Sequence, residues 1–157
     1  MNCLACHAYA SLYRSQHELV HIFKSGNGPS INNVMLGKYG RNRTNVWPYE
    51  GANSMSKKRK GDLALHPTVK PVDLVANAIK DCSNRGGVIL DPCAGSGTTL
   101  ISAVQTERVA RLIEIDPLYC DVIVRRWQQQ TGGVAVLEAT GETFDALRSK
   151  RAGSDVE

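Results

Sequence analysis

The run Val88-Ile89-Leu90-Asp91-Pro92-Cys93-Ala94-Gly95-Ser96-Gly97-Thr98-Thr99-Leu100 constrains this chain more than any other part of it. A short apolar run that ends in an acid predicts a buried strand. Two glycines then flank a serine, so the backbone can turn tightly and come close to a ligand. Thr98 and Thr99 stand where a helix begins, with its first amide N–H groups pointing back into the turn. A strand, glycine turn and helix in this order hold nucleotide-like ligands at the carboxyl edge of a parallel sheet.

The turn discriminates between ligands. A dinucleotide fingerprint carries a third glycine three positions after the second, and here that position is Leu100. A phosphate-cradling P-loop ends in Gly-Lys-Ser/Thr, which the chain lacks. Asp91 suits a ligand bearing a charged amine better than a pyrophosphate. A second apolar run, Val109 to Ile115, carries Glu114. This acid lies about 17 positions after Gly97, near the spacing at which an acid reaches ribose hydroxyls. An amino-acid end at Asp91 and a ribose at Glu114 together describe S-adenosylmethionine.

The rest of the chain reads as alternating strands and helices. His17 to Lys24, rich in Val, Ile and Phe, predicts a strand, closed by the loop Ser25–Ser30. Residues 31–65 show no periodicity, and a long irregular stretch inside a domain is functional or disordered. Pro71 opens a helix whose Val72, Val75, Ala76, Ile79 and Cys82 share one face, and Arg85-Gly86-Gly87 ends it. A short helix is expected from Thr98 to about Thr106. Asp116 and Pro117 read as N-cap and first residue of the next helix. That helix would bury Tyr119, Val122, Ile123 and Trp127 and carry Arg125 and Arg126 towards its carboxyl end, where the dipole favours cations. Thr131-Gly132-Gly133 stops it, Val134 to Leu137 predicts a third, edge strand, and Phe144 to Lys150 a short helix before a frayed tail. This order predicts an α/β fold with right-handed crossovers.

Length and composition set the class. At 157 residues the chain can build one domain with a core. The net charge of +4 is modestly basic and permits nucleic-acid binding. It is concentrated in Lys38, Arg41, Arg43, Lys57, Lys58, Arg59 and Lys60, with Glu50 the only acid in that stretch. The cluster suits either DNA phosphates or a solvated loop, and Trp47 and Tyr49 beside it suit either base stacking or a small satellite core. No segment is apolar enough to span a membrane and no signal peptide is visible, so a cytoplasmic protein with no membrane partner is expected. Five cysteines without framework spacing agree with a reducing compartment. Cys3-Leu4-Ala5-Cys6-His7 has the form of a c-type haem attachment site, but haem would need export and zinc would need further ligands, so no metal is expected. Cys93 is expected to pack within the turn.

Asp91-Pro-Cys-Ala-Gly-Ser-Gly-Thr-Thr99 resembles the cofactor motif of the DNA amino-methyltransferases, which methylate N6 of adenine or N4 of cytosine. His66-Pro67-Thr68-Val69-Lys70-Pro71 resembles the segment preceding that motif in the permuted group, where the catalytic half comes first. Ser11–Glu18, Thr44-Asn-Val-Trp47 and Ile113-Glu-Ile-Asp-Pro117 are similar to further pieces in the same order, so the likeness runs from about Ser11 to about Phe144. The pairing of the His-Pro-Thr-x-Lys-Pro segment with the glycine turn is its most specific part. The resemblance implies a partial Rossmann-like S-adenosylmethionine-dependent methyltransferase fold, a mostly parallel sheet with flanking helices. It implies an atypical segment 1–10, a methylase domain 11–147 with its core at 66–137, and a disordered tail 148–157.

By the same resemblance the cofactor would be held by Thr68, Lys70, Asp91, Gly95, Ser96, Gly97, Thr98, Thr99, Glu114 and Asp116. Double-stranded DNA would be met by Arg41, Arg43, Trp47 and Lys57–Lys60. The family's catalytic signature, Asp/Asn/Ser-Pro-Pro followed by an aromatic residue, is absent, since the chain has no Pro-Pro. Asp116-Pro117-Leu118-Tyr119 imitates it only superficially. In the permuted order the signature would lie upstream of Ser11. A truncated or frameshifted reading frame, or a second polypeptide supplying the other half, would each account for this. The expected function is therefore site-specific DNA methylation, with adenine N6 the better guess. The alternative is a non-catalytic remnant, or a cofactor-binding half that needs a separate catalytic partner. An apolar, unpaired edge at Val88–Leu90 would favour oligomers of the chain.

Overall fold

A computed structural model of the chain describes residues 17–49 and 69–154. Two units divide at Ser30. In the first, the described residues 17–30 have no regular secondary structure, with bends at 26–28 where the loop was expected. The predicted strand at His17–Lys24 is therefore corrected: Leu19, Val20, Ile22 and Phe23 are exposed, and among the described residues no ladder pairs them. Apolar alternation supplies a face, but a strand also needs a hydrogen-bonded neighbour.

The second unit is an α/β arrangement. Its elements are α1 (Val72–Cys82), β1 (Val88–Asp91), α2 (Thr98–Gln105), β2 (Val109–Leu112), α3 (Pro117–Thr131) and α4 (Phe144–Ser154). β1 and β2 pair in parallel, Val88 opposite Val109 and Asp91 opposite Leu112. The connection between them is α2, as parallel pairing requires a crossover. α1 packs on α2, and α2 packs on β2 and α3. Ile101, Ser102 and Ala103 of α2 are fully buried at the centre, with Ala76 and Ile79 of α1 and Ile123 of α3 around them.

α1 follows its apolar spacing: Ala76 and Ile79 are buried, and Pro71 precedes its first turn. Cys82, expected on the same face, is exposed because the helix ends there. The last carbonyls of a helix lack intrahelical donors. Here Asn33 Nδ2 donates to the carbonyls of Lys80 and Ser83, each at 2.8 Å, and the Asn33 amide donates to that of Asp81. Arg108, entering β2, adds Nη2 to the Ser83 carbonyl at 2.6 Å. The irregular segment 31–49 is thus anchored along α1. Arg43 pairs with Asp81 near the helix end, while the Tyr49 hydroxyl lies against Asp73 and Asn77 nearer its start.

Three further expectations change. Val134–Leu137 is not an edge strand of the parallel sheet. Val136 bridges Thr143 in antiparallel sense, and the Leu137 amide donates to the Glu142 carbonyl at 2.8 Å, so the segment turns back on itself through Gly141. Closing a short loop costs less chain entropy than crossing to the sheet. α4 runs to Ser154, so residues 148–154, expected in the tail, are helical. Trp127 is half-buried and packs over Gly133, where any side chain would collide with its ring.

Candidate functional site

The carboxyl end of β1, the turn after it and the turn after β2 meet at one place. Asp91 closes the first turn with both oxygens: Oδ1 accepts the Cys93 amide at 3.0 Å and Oδ2 the Thr99 hydroxyl at 2.6 Å. The Ala94 amide continues the parallel ladder onto the Ile113 carbonyl at 3.1 Å. Gly95 and Gly97 both have left-handed backbone, φ 54° and 77°. A Cβ on Gly97 would stand 3.0 Å from two carbons of Ile123, so α3 lies directly against the turn.

Glu114 joins the two turns. Its Oε2 accepts the Gly95 amide at 2.6 Å, while Oε1 accepts the amides of Ile115 and Asp116 at 2.9 and 3.0 Å. Asp116 caps α3 by accepting the Leu118 amide at 2.8 Å, with Pro117 opening the helix. That geometry gives Asp116-Pro117-Leu118-Tyr119 a helix-starting role. Lys70 reaches the site through its backbone, its carbonyl accepting the Thr98 hydroxyl at 3.5 Å. Asp91, Gly95, Ser96, Gly97, Thr98, Thr99, Glu114, Asp116 and the Lys70 backbone therefore converge. Thr68 lies outside the described residues, as do Lys57, Lys58, Arg59 and Lys60. Cys93 is exposed rather than packed, with its amide donating to Asp91.

The remaining basic and aromatic candidates stand elsewhere. Arg43 donates to both Asp81 oxygens at 2.6 Å and lies over the Trp47 ring, 4.2 Å from its centre. Arg41 donates to the Asn33 carbonyl at 3.2 Å. Open clefts of about 390 and 360 Å³ flank this cluster, lined by Asn33, Arg43, Trp47, Tyr49 and Asp81 among others. The Arg43–Asp81 pair is at the opposite end of α1 from Lys70, about 16 Å away along a helix of this length. These clefts are not the convergent site, since no residue of the glycine turn lines them. Among the described residues no group of His, Cys, Asp and Glu could hold a metal, and no helix is long and apolar enough to cross a membrane.

One neighbour of the turn escapes a reading of the sequence by helix position alone. Arg126 was expected towards the carboxyl end of a helix stopped at Thr131–Gly133, and α3 does end at Thr131, but the side chain reaches the glycine turn. Its Nη1 donates to the Ser96 carbonyl and to the Ser96 and Thr98 hydroxyls, at 3.1, 3.2 and 3.2 Å. The available signal was its spacing, three residues after Ile123 on the inward stripe.

Known proteins resemble this chain in sequence. A family model described as DNA methylase matches residues 10–125. The type II methyltransferase M.ScaI of Streptomyces caespitosus is 37% identical over 91 residues, covering 58% of this chain and 30% of that protein. The DNA adenine methyltransferase YhdJ of Escherichia coli K12 is 35% identical over 82 residues, covering 52% and 26%. The solved M1.HpyAVI–SAM complex shares 34% identity over 40% of this chain and 30% of its own, with a TM-score of 0.39. The chain spans about a third of the length of the curated relatives it matches. With most of its length matched by that family model, the chain belongs to the DNA methylase family.

Proposed function

We propose that this chain carries the S-adenosylmethionine-binding part of a DNA methyltransferase that acts on an exocyclic base amine, adenine N6 in the first instance. The convergence of Asp91, the Gly95–Gly97 turn and Glu114 at the carboxyl end of two parallel strands carries this reading. The residues suit that ligand chemically. Acids predominate, and no lysine stands in the turn to meet a phosphate. Bound S-adenosylmethionine supplies a sulfonium-activated methyl group, which an amine nitrogen takes by direct displacement once oriented. Asp91, Glu114 and Asp116 would bind and orient it, and Thr68 and the Lys70 backbone would border it from the segment before α1. Double-stranded DNA is the proposed substrate, with Arg41, Arg43 and Lys57–Lys60 towards phosphate and Trp47 towards a base. The family identity and the adenine-specific name of one relative support this.

A second reading has its own observation, the missing Pro-Pro signature. On that reading the chain binds cofactor but needs a separate catalytic half, or is a non-catalytic remnant. Tritiated methyl incorporation into unmethylated DNA by this polypeptide alone supports the first and excludes the remnant. Calorimetric titration with S-adenosylhomocysteine tests the binding reading common to both. Glu114→Ala removes three backbone hydrogen bonds along with any ligand contact, so affinity falls by about tenfold or more. Unchanged affinity in that variant, or no binding by wild type, refutes the assignment.

A further inference from the structure

We propose that Arg126 is a positioning residue for the ligand loop. Reaching in from α3, it holds Ser96 and Thr98 and so fixes the backbone that the cofactor meets. This rests on the cofactor reading above and adds to it a residue outside the turn.

The turn needs restraint from outside itself. Two left-handed glycines in three residues make it freely variable in the unfolded chain and easily deformed in the folded one. A loop that approaches a ligand by its backbone binds well only if it is held in place beforehand. Two side chains hold it from opposite directions. Glu114, after β2, takes the Gly95 amide, and Arg126, on α3, takes the Ser96 carbonyl and the Ser96 and Thr98 hydroxyls. Ser96 and Thr98 are buried, so their hydroxyls need partners within the protein. Ile123, one turn earlier on the same face, fills the space left by the missing Gly97 side chain. One face of α3 thus grips the turn from residue 96 to residue 98.

The adjacent residue supplies a control. Arg125 points outward and pairs with Asp121, one turn back, at 3.2 Å. Both residues are arginines on one helix, and only Arg126 reaches the turn. Its three contacts with the turn come from a single nitrogen rather than from the guanidinium fork. A lysine ammonium, with three donors on one nitrogen, can serve the same acceptors. Bidentate sites do not tolerate that exchange.

The test is calorimetric titration of the full chain with S-adenosylhomocysteine, in wild type and in R126M, R126K and R125M. Far-UV circular dichroism sets a temperature at which all four are folded. R126M is expected to bind about tenfold more weakly, R126K within about threefold of wild type, and R125M as wild type does. R126M binding within about twofold of wild type overturns the proposal and leaves the cofactor reading intact. R126K as weak as R126M also overturns it, because the shared cation then restores nothing. A wild-type chain that binds nothing overturns the cofactor reading, and this inference with it. Should R126M not fold, R126Q, which keeps a polar side chain without the cation, is titrated in its place. Weaker binding there supports the proposal, and unchanged binding overturns it.

Discussion

Gly97 satisfies a conformational and a spatial requirement at once. Its φ of 77° disfavours any residue with a Cβ, and that Cβ would press on Ile123 at 3.0 Å. The two requirements are separable by experiment. Gly97→Ala should lower stability to urea by about 1–3 kcal/mol. In an Ile123→Ala background, which lacks both γ carbons that the new Cβ would meet, the cost of Gly97→Ala should shrink to the part due to φ. A Gly97→Ala protein with an unchanged urea midpoint would contradict this geometry. At the same scale, the sequence made Gly95, Gly97 and Asp91 legible because their roles are local. Turn geometry and a carboxylate two residues from an amide it accepts are written within one short segment. Arg126 was not legible that way, since its partners lie 28 and 30 positions earlier in the chain.

Among elements, α1, β1, α2, β2 and α3 emerge where periodicity and caps place them. Asp116, Pro117 and Gly132 mark the two ends of α3 as their chemistry requires. What periodicity does not carry is pairing. His17–Lys24 and Val134–Leu137 have strand-forming residues, yet the first has no ladder partner among the described residues and the second closes a hairpin with 142–144. Segment 31–49 looks structureless in sequence because its order comes from distant anchors, Asn33 at the end of α1 and Arg43 on Asp81. The hairpin leading into α4 offers a pH test. Glu142 pairs with Lys150 on α4, and that ammonium, through its hydrogen bond first and its charge second, holds the Glu142 carboxyl below its usual 4.5. Because the folded value is the lower one, the stabilising contribution is present above 4.5 and is lost as pH falls through the folded value. Carboxyl carbon shifts should place the Glu142 midpoint below 4.5 in wild type and return it towards 4.5 in Lys150→Ala. An identical midpoint in both proteins would show the pair to be unformed.

For the molecule as a whole, the sheet is the feature with consequences. Parallel sheets occur almost only with both faces covered. Here the helices cover one face, while Val88 and Leu90 on the other are 64% and 65% exposed, with Ile113 at 59% continuing the patch. Among the described residues β1 pairs only with β2, so its other edge also presents free ladder groups. An apolar face beside an open edge associates with whatever complements it, and in a purified sample that is a second copy. The full chain is therefore expected to self-associate, with a light-scattering mass that rises with concentration. Replacing Val88 and Leu90 together by Thr keeps strand propensity and lowers apolar area, so the mass should fall towards that of a monomer. The two causes predict different salt responses. Association through the apolar face strengthens in sulfate, which favours burial, whereas association through the chain's basic charge weakens as salt screens it. A wild-type chain that scatters as a monodisperse monomer at every concentration would mean that the face is not sticky. A mass that falls as sulfate is added would assign association to charge rather than to the sheet.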